Sequence, residues 1–186
     1  MNRTKIQRLT GISILSAIVV VLQLLGSFIH FGPVSVSLVL VPIVLGAAVF
    51  GPGSGAFLGA VFSVVVLLQP DTSFFYNISF LGTVLTVLTK GIISGWLSGL
   101  TFHVLRSKFE MQAAIISAVL CPIVNTGIFA VGCRLFFWDA LAELGNGNAI
   151  IFLVTSMIGF NFLAELLVNL LFAPVIVRIY HAINSI

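Results

Sequence analysis

Charge is what this chain has least of. Its 186 residues include eight lysines or arginines and five acidic residues, 7% charged in all, against roughly 25% in a soluble domain. A water-exposed surface cannot be built from so few charges. A disordered chain, which needs low hydrophobicity and high charge, is excluded as well. Cysteine is scarce: Cys121 and Cys133 lie in apolar surroundings, form no CxxC pair and read as small inert hydrophobes. There is no GxxxxGK[ST] loop and no length to spare for a separate nucleotide-binding domain. HExxH, GxSG and DGxxAR-like motifs are missing, as is a paired-carboxylate site for general acid–base work. His30, His103 and His181 stand far apart near span ends, so no metal site is expected. Strands of roughly ten alternating residues are missing too, which excludes a β-barrel.

What is present in abundance is apolar sequence, 60% of the chain. No charge occurs from Leu9 to Pro70, enough for about three spans of roughly 20 residues. Near-continuous apolar runs leave helices as the only viable spanning structure. The reading is an all-α integral membrane protein, a single transmembrane domain over 1–186 built as a six-helix bundle with short loops. The spans are placed at Leu9–Ile29, Val34–Phe50, Ala56–Leu68, Ile78–Leu105, Met111–Phe137 and Ala149–Ile179. The basic start resembles a signal peptide, but it leads straight into further spans with no clear cleavage site.

With six spans, Arg3, Lys5, Arg8, Arg106, Lys108 and Arg178 share one side. Asp71, Asp139 and Glu143 lie on the other, with Arg134 nearest to it. The positive-inside rule then puts both termini in the cytoplasm. The net charge of +3 therefore reads as topology and not as nucleic-acid binding. The outer loops, Gln69–Asn77 and Trp138–Asn148, are longer and richer than the inner turns, so function leans outward.

Charges inside a span cost about 2.5–3.5 kcal/mol each at the centre and need a reason. Lys90 falls deep in span 4, Glu165 in span 6, and Arg134 near the outer end of span 5. Either Lys90 and Glu165 pair with each other, or Lys90 or Arg134 faces a cavity and receives an anionic ligand. Neither reading excludes the other. Asn161, Glu165 and Asn169 are spaced by four and stack on one helix face. That face cannot look at lipid. Asn161 is the shallowest and the best placed for ligand, and Asn169 reads as structural. Asn125 adds a buried amide in span 5. Gly91, Gly95 and Gly99 in span 4, and Gly55, Gly59 and Ser63 in span 3, form small-residue rows for close helix packing. Ser13 and Ala17 make a similar pair in span 1 that suits a partner helix.

Taken together these patterns resemble the substrate-binding S components of energy-coupling factor (ECF) vitamin transporters. The stretch Pro42-Ile43-Val44-Leu45-Gly46-Ala47 through Gly51-Pro52-x-x-Gly55-Ala56-x-x-Gly59 looks like that family's span 2–3 signature. Lys90 followed by Gly91, Gly95 and Gly99 looks like its span 4 pattern, where arginine is the commoner residue. Asn125-Thr126-x-x-Phe129 resembles span 5, and Asn161-x-x-x-Glu165-x-x-x-Asn169-x-x-x-x-Pro174 resembles span 6. The family's AxxxA docking motif is matched by Ser13 to Ala17 with serine in place of the first alanine.

The resemblance implies a bacterial plasma-membrane protein that is not an enzyme and carries no cofactor. It implies an outward pocket for a water-soluble vitamin, closed by the His30–Val36 loop with help from the span 3–4 loop, where Phe75, Tyr76 and Asn77 join the substrate-binding candidates. Lys90, Asn125, Arg134, Asn161 and Glu165 complete that set. A transmembrane coupling subunit and two ATPases, which use the ATP, would dock at Ser13 and Ala17, and the chain would release substrate inside by toppling. The basic residues favour a carboxylate or phosphate ligand, and the Asn125-Thr126 pattern looks most like the pantothenate-specific group. Folate and riboflavin are the alternatives within the family. Outside it stand an autonomous proton-coupled carrier using Glu165, and a membrane enzyme or scaffold.

Overall fold

The computed structural model describes residues 3–26 and 38–184. Within them the chain is helical, with no strand. Helix α1 runs Arg3–Gly26, α2 Leu40–Phe50 and α3 Pro52–Leu67. A 3-10 turn, Pro70–Thr72, and α4, Ser73–Ile78, lead to α5, Phe80–Leu105. Then come α6, Glu110–Phe136, α7, Trp138–Leu144, and α8, Ala149–Phe152. A π-helical segment, Leu153–Ile158, joins α8 to α9, Gly159–Asn184.

Four of these helical stretches are long and apolar enough to cross a membrane, and a fifth forms if α3 and its bent continuation count as one span. Helix α2, at 11 residues, is about 17 Å long, short of the roughly 30 Å hydrocarbon core. The start expected for span 2, residues 34–37, lies outside the described residues, as do His30 and the expected 30–36 lid.

Two expected loops are partly helical. Pro70–Ile78 folds back at 76° to α3, and Trp138–Leu144 forms α7. The first has a clear local cause. The last carbonyls of α3 have no partner within the helix, and the returning segment supplies donors. Thr72 Oγ1 donates to the Val66 carbonyl at 2.6 Å, and Tyr76 Oη to that of Leu67 at 2.8 Å. Ser79, in extended conformation, then caps α5, its Oγ accepting from Gly82 N–H at 3.1 Å.

One end of the bundle gathers the basic residues. There the Arg8 guanidinium donates to Ser54 Oγ at 3.4 Å, Arg106 to Tyr180 Oη at 2.6 Å, and His181 meets Glu110 at 2.7 Å. The first ties the start of α1 to that of α3, and the other two tie the end of α9 to the end of α5 and the start of α6. Just inside lies an apolar cluster around Val19, Leu40, Ile43, Leu58, Phe62, Phe102 and Ile176. A second cluster, at the opposite end, holds Phe75, Cys133, Phe137, Leu141, Leu153 and Met157. The outward faces are apolar, with Leu68, Phe80, Leu81, Leu135 and Leu171 among the most exposed. Lipid, not water, is the solvent such a surface fits.

Helices α3 and α5 touch backbone to backbone. A Cβ on Gly55 would collide with the Gly95 carbonyl, and one on Gly59 with the Gly91 carbonyl. The same holds in reverse from Gly91 and Gly95. Nothing longer than a hydrogen fits, which is how small residues let membrane helices associate. A Cβ added at Gly127 on α6, by contrast, would meet nothing within 4 Å. Gly59→Ala should therefore destabilise the chain by about 1–3 kcal/mol through overpacking. Gly127→Ala should be neutral or stabilising by up to about 1 kcal/mol. Thermal unfolding in detergent separates the two, and equal Tm values would contradict the seam.

Candidate functional site

The polar side chains expected from the sequence fall in the layer between the two apolar clusters. Helix α5 brings Lys90, α6 brings Asn125, and α9 brings Asn161 and Glu165, with Asn169 one turn nearer the basic end. Asn125, Asn161, Glu165 and Asn169 are 5%, 6%, 6% and 1% exposed. The spacing by four has the expected effect, putting all three α9 side chains on the inward side. The π-helical segment extends that register. Its wider turn keeps Leu153 and Met157, eight and four residues before Asn161, buried as well.

Lys90 is half-buried at the junction of the two clusters. Its ammonium lies 5.7 Å from the centroid of Phe62, from one cluster, and 5.2 Å from that of Phe129, packed on the other. Two ring faces at these distances hold a cation by electrostatic attraction to the π system. Glu165 and the Cys133 thiol are close enough to interact with the charge. Among the described residues no hydrogen bond or ion pair engages the ammonium itself. Lys90 and Glu165 thus share one polar layer without forming a closed pair.

The two α9 amides each donate one hydrogen bond within their own helical stretch. Asn161 Nδ2 donates to the Met157 carbonyl at 3.2 Å, and Asn169 Nδ2 to that of Glu165 at 2.8 Å. Asn125 Oδ1 and Asn169 Oδ1 are buried without a hydrogen-bond partner. A buried acceptor left this way calls for an explanation, and Asn125 lies one helical turn from the ring that covers Lys90.

The other candidates sit apart from this group. Arg134 is exposed, its guanidinium stacked 4.5 Å from the Trp138 ring. Phe75 is buried edge-on between Phe129 and Phe137, with centroids 5.8 and 5.1 Å away. It therefore packs directly against the Phe129 ring. Tyr76 stacks on Phe80 at 5.3 Å, and Asn77 is exposed. Ser13 and Ala17 are exposed on α1, free of the internal packing that occupies the α3 and α5 glycines.

Three features escaped the sequence reading. Phe62 is one apolar residue in an apolar run, and nothing in its spacing marks it as a partner of Lys90. Gln23 and Gln69 are buried and reciprocally bonded: Gln23 Nε2 donates to Gln69 Oε1 at 2.9 Å, and Gln69 Nε2 to the Gln23 carbonyl at 3.0 Å. Gln23 was detectable as an isolated amide in the first span. The Ser63 hydroxyl, seen only as a small residue, donates to the Val87 carbonyl at 2.7 Å and ties α3 to α5 beside the site.

A family model for the substrate-specific component of ECF transporters matches residues 7–177. The chain belongs to this family. No curated protein and no solved structure matches it. As an ECF substrate-specific component it is a multi-pass membrane protein and a substrate-binding transporter subunit rather than an enzyme. Membership carries a vitamin-type substrate and ECF transporter partners. The two basic candidates now separate by position. Arg134→Gln should change substrate affinity less than two-fold, because its guanidinium is occupied on Trp138 outside the polar layer. Calorimetry on that variant and on Lys90→Gln ranks them, and a larger loss at Arg134 would make it the better candidate.

Proposed function

We propose that this chain is the pantothenate-binding subunit of an ECF importer, with Lys90 receiving the vitamin's carboxylate. The observation that carries the reading is the Lys90 ammonium, held between two phenylalanine faces with no hydrogen-bonding anion of its own among the described residues. A carboxylate there gains charge-assisted hydrogen bonds in a site with little water. Asn125 Oδ1, buried and unpartnered, suits a hydroxyl or amide N–H of the same ligand. Glu165 and Asn161 offer further polar contacts for a small, flexible, polar acid. Phe62 and Phe129 face the cation and Phe75 packs against Phe129, which disfavours stacking of a large flat ring such as that of folate or riboflavin beside Lys90.

The proposed topology has six spans with both termini in the cytoplasm of a bacterial cell. It is supported by the gathering of Lys5, Arg8, Arg106, Lys108 and Arg178 at one end of the bundle. Helix α2 is the described part of the second span, and α3 with its bent continuation makes the third. Substrate enters from the end carrying α4 and α7. The exposed Ser13–Ala17 face of α1 docks on the coupling subunit, whose two ATPases supply the energy. The chain then topples in the membrane and releases the vitamin inside.

Calorimetry of the purified, ligand-stripped chain against a vitamin panel tests the ligand. A nanomolar response to pantothenate is expected, and a response only to another vitamin would reassign the substrate. Lys90→Ala should weaken binding by about 1.5–3 kcal/mol, the value of a hydrogen bond to a charged group. Unchanged affinity in folded protein would make Lys90 structural. Ala17→Trp should keep binding and abolish uptake with the partners present. Normal uptake would remove the docking face. Uptake driven by a pH gradient in liposomes holding this chain alone would replace the whole scheme with a proton-coupled carrier.

A further inference from the structure

A groove of about 560 Å³ runs between the first turns of α1 and the start of α3, at the basic end of the bundle. Its walls change character along its length. Lys5 and Arg8 stand at the mouth, and Leu9, Ile12 and Phe57 line the part that continues towards the bundle middle. From Lys5 to Ser13, the deepest α1 residue lining it, a helix rises about 12 Å. That distance covers a phosphate headgroup and the first part of an acyl chain. Leu9 and Phe57 are exposed, 57% and 53%, so no other part of the described chain covers the apolar wall. Arg8 is anchored there: its guanidinium donates to Ser54 Oγ, and the Ser54 hydroxyl donates to the Phe50 carbonyl at 3.2 Å. At Gly53 an added Cβ would meet nothing within 4 Å, so the α3 side of the groove is open.

The structure assigns this groove to an anionic phospholipid, its phosphate between Lys5 and Arg8 and its acyl chain along Leu9, Ile12 and Phe57. Charge complementarity and the polar-to-apolar gradient select the occupant. A free anion has no use for the apolar wall, and a neutral lipid has none for the two cations. Placement in the cytoplasmic leaflet rests on the topology proposed above, whereas the lipid selectivity does not. Because Ser13 lines the groove, the lipid would cover part of the face offered to the coupling subunit and leave when the two associate.

Native mass spectrometry tests this on the detergent-solubilised full chain, with equimolar phosphatidylglycerol and phosphatidylcholine of identical acyl chains. No vitamin, partner or membrane sidedness enters, so failure of the proposed function leaves the result readable. The wild type should retain phosphatidylglycerol in preference. Each basic residue near a membrane surface is worth about five-fold in affinity for anionic lipid. The Lys5→Gln, Arg8→Gln double variant should therefore lose about 25-fold and bind the two lipids alike. Gly53→Leu, which adds a side chain into open space, should plug the groove and lose phosphatidylglycerol while keeping its helical circular dichroism and Tm. Equal retention of both lipids by the wild type would overturn the assignment. So would unchanged phosphatidylglycerol binding in folded Gly53→Leu protein. Displacement of the lipid by inorganic phosphate alone would also overturn it, marking a simple anion site.

Discussion

The backbone contact between α3 and α5 is the constraint on which the rest of the structure depends. Gly55 and Gly59 meet Gly95 and Gly91 with no room for a methyl group. In lipid there is no hydrophobic force to press helices together, so contact of this closeness has to come from shape. The seam also sets the site. Phe62 lies one turn beyond Gly59, and a Cβ on Gly91 would sit 3.2 Å from its ring. Holding the helices this close therefore holds the Phe62 face against Lys90. The Ser63 hydroxyl, bonded across to the Val87 carbonyl, locks the register of the two helices at the same level.

Lys90 is the costly element that this frame supports. A cation at this depth costs a few kcal/mol on insertion scales, and contact with aromatic faces returns about 2 kcal/mol or more when water is excluded. The rings come from different helices and different apolar clusters, so the cation sits where the two halves of the bundle meet. Phe75, packed at a steep angle against Phe129, gives that ring its own support. The short helix α4 thus packs against a ring that faces Lys90. Asn77 at the end of α4 is exposed, and Arg134 on α6 stacks on Trp138 at the start of α7.

Much of this was legible in the residues themselves. The near-absence of charge and the long apolar runs decide for a helical membrane protein, because no other backbone arrangement satisfies its own polar groups in lipid. Lys90, Asn125 and the Asn161–Glu165–Asn169 row stand out by the same logic, as polar groups where each one carries a cost. The row faces inward because a period of four keeps to one side of a helix. The glycine rows in spans 3 and 4 announce close packing, and their partners turn out to be each other. Helix existence was easier to read than helix ends. The segments 70–78 and 138–144 are polar and aromatic enough to look like loops, and they fold because nearby carbonyls and apolar clusters give them partners.

Composition and spacing thus settle the class of protein, the direction in which its polar row points and the residues that bear charge in the membrane. Those properties depend on the solvent and on local helix geometry, and both act on the chain residue by residue. Only the tertiary structure decides which apolar side chains share the layer with Lys90, that Arg134 turns to Trp138 instead, and that α1 and α3 leave a basic-mouthed groove between them. Phe62, Phe129 and Phe57 look alike in sequence. They differ in what the packing of neighbouring helices places opposite them: a cation for the first two, and open space for the third.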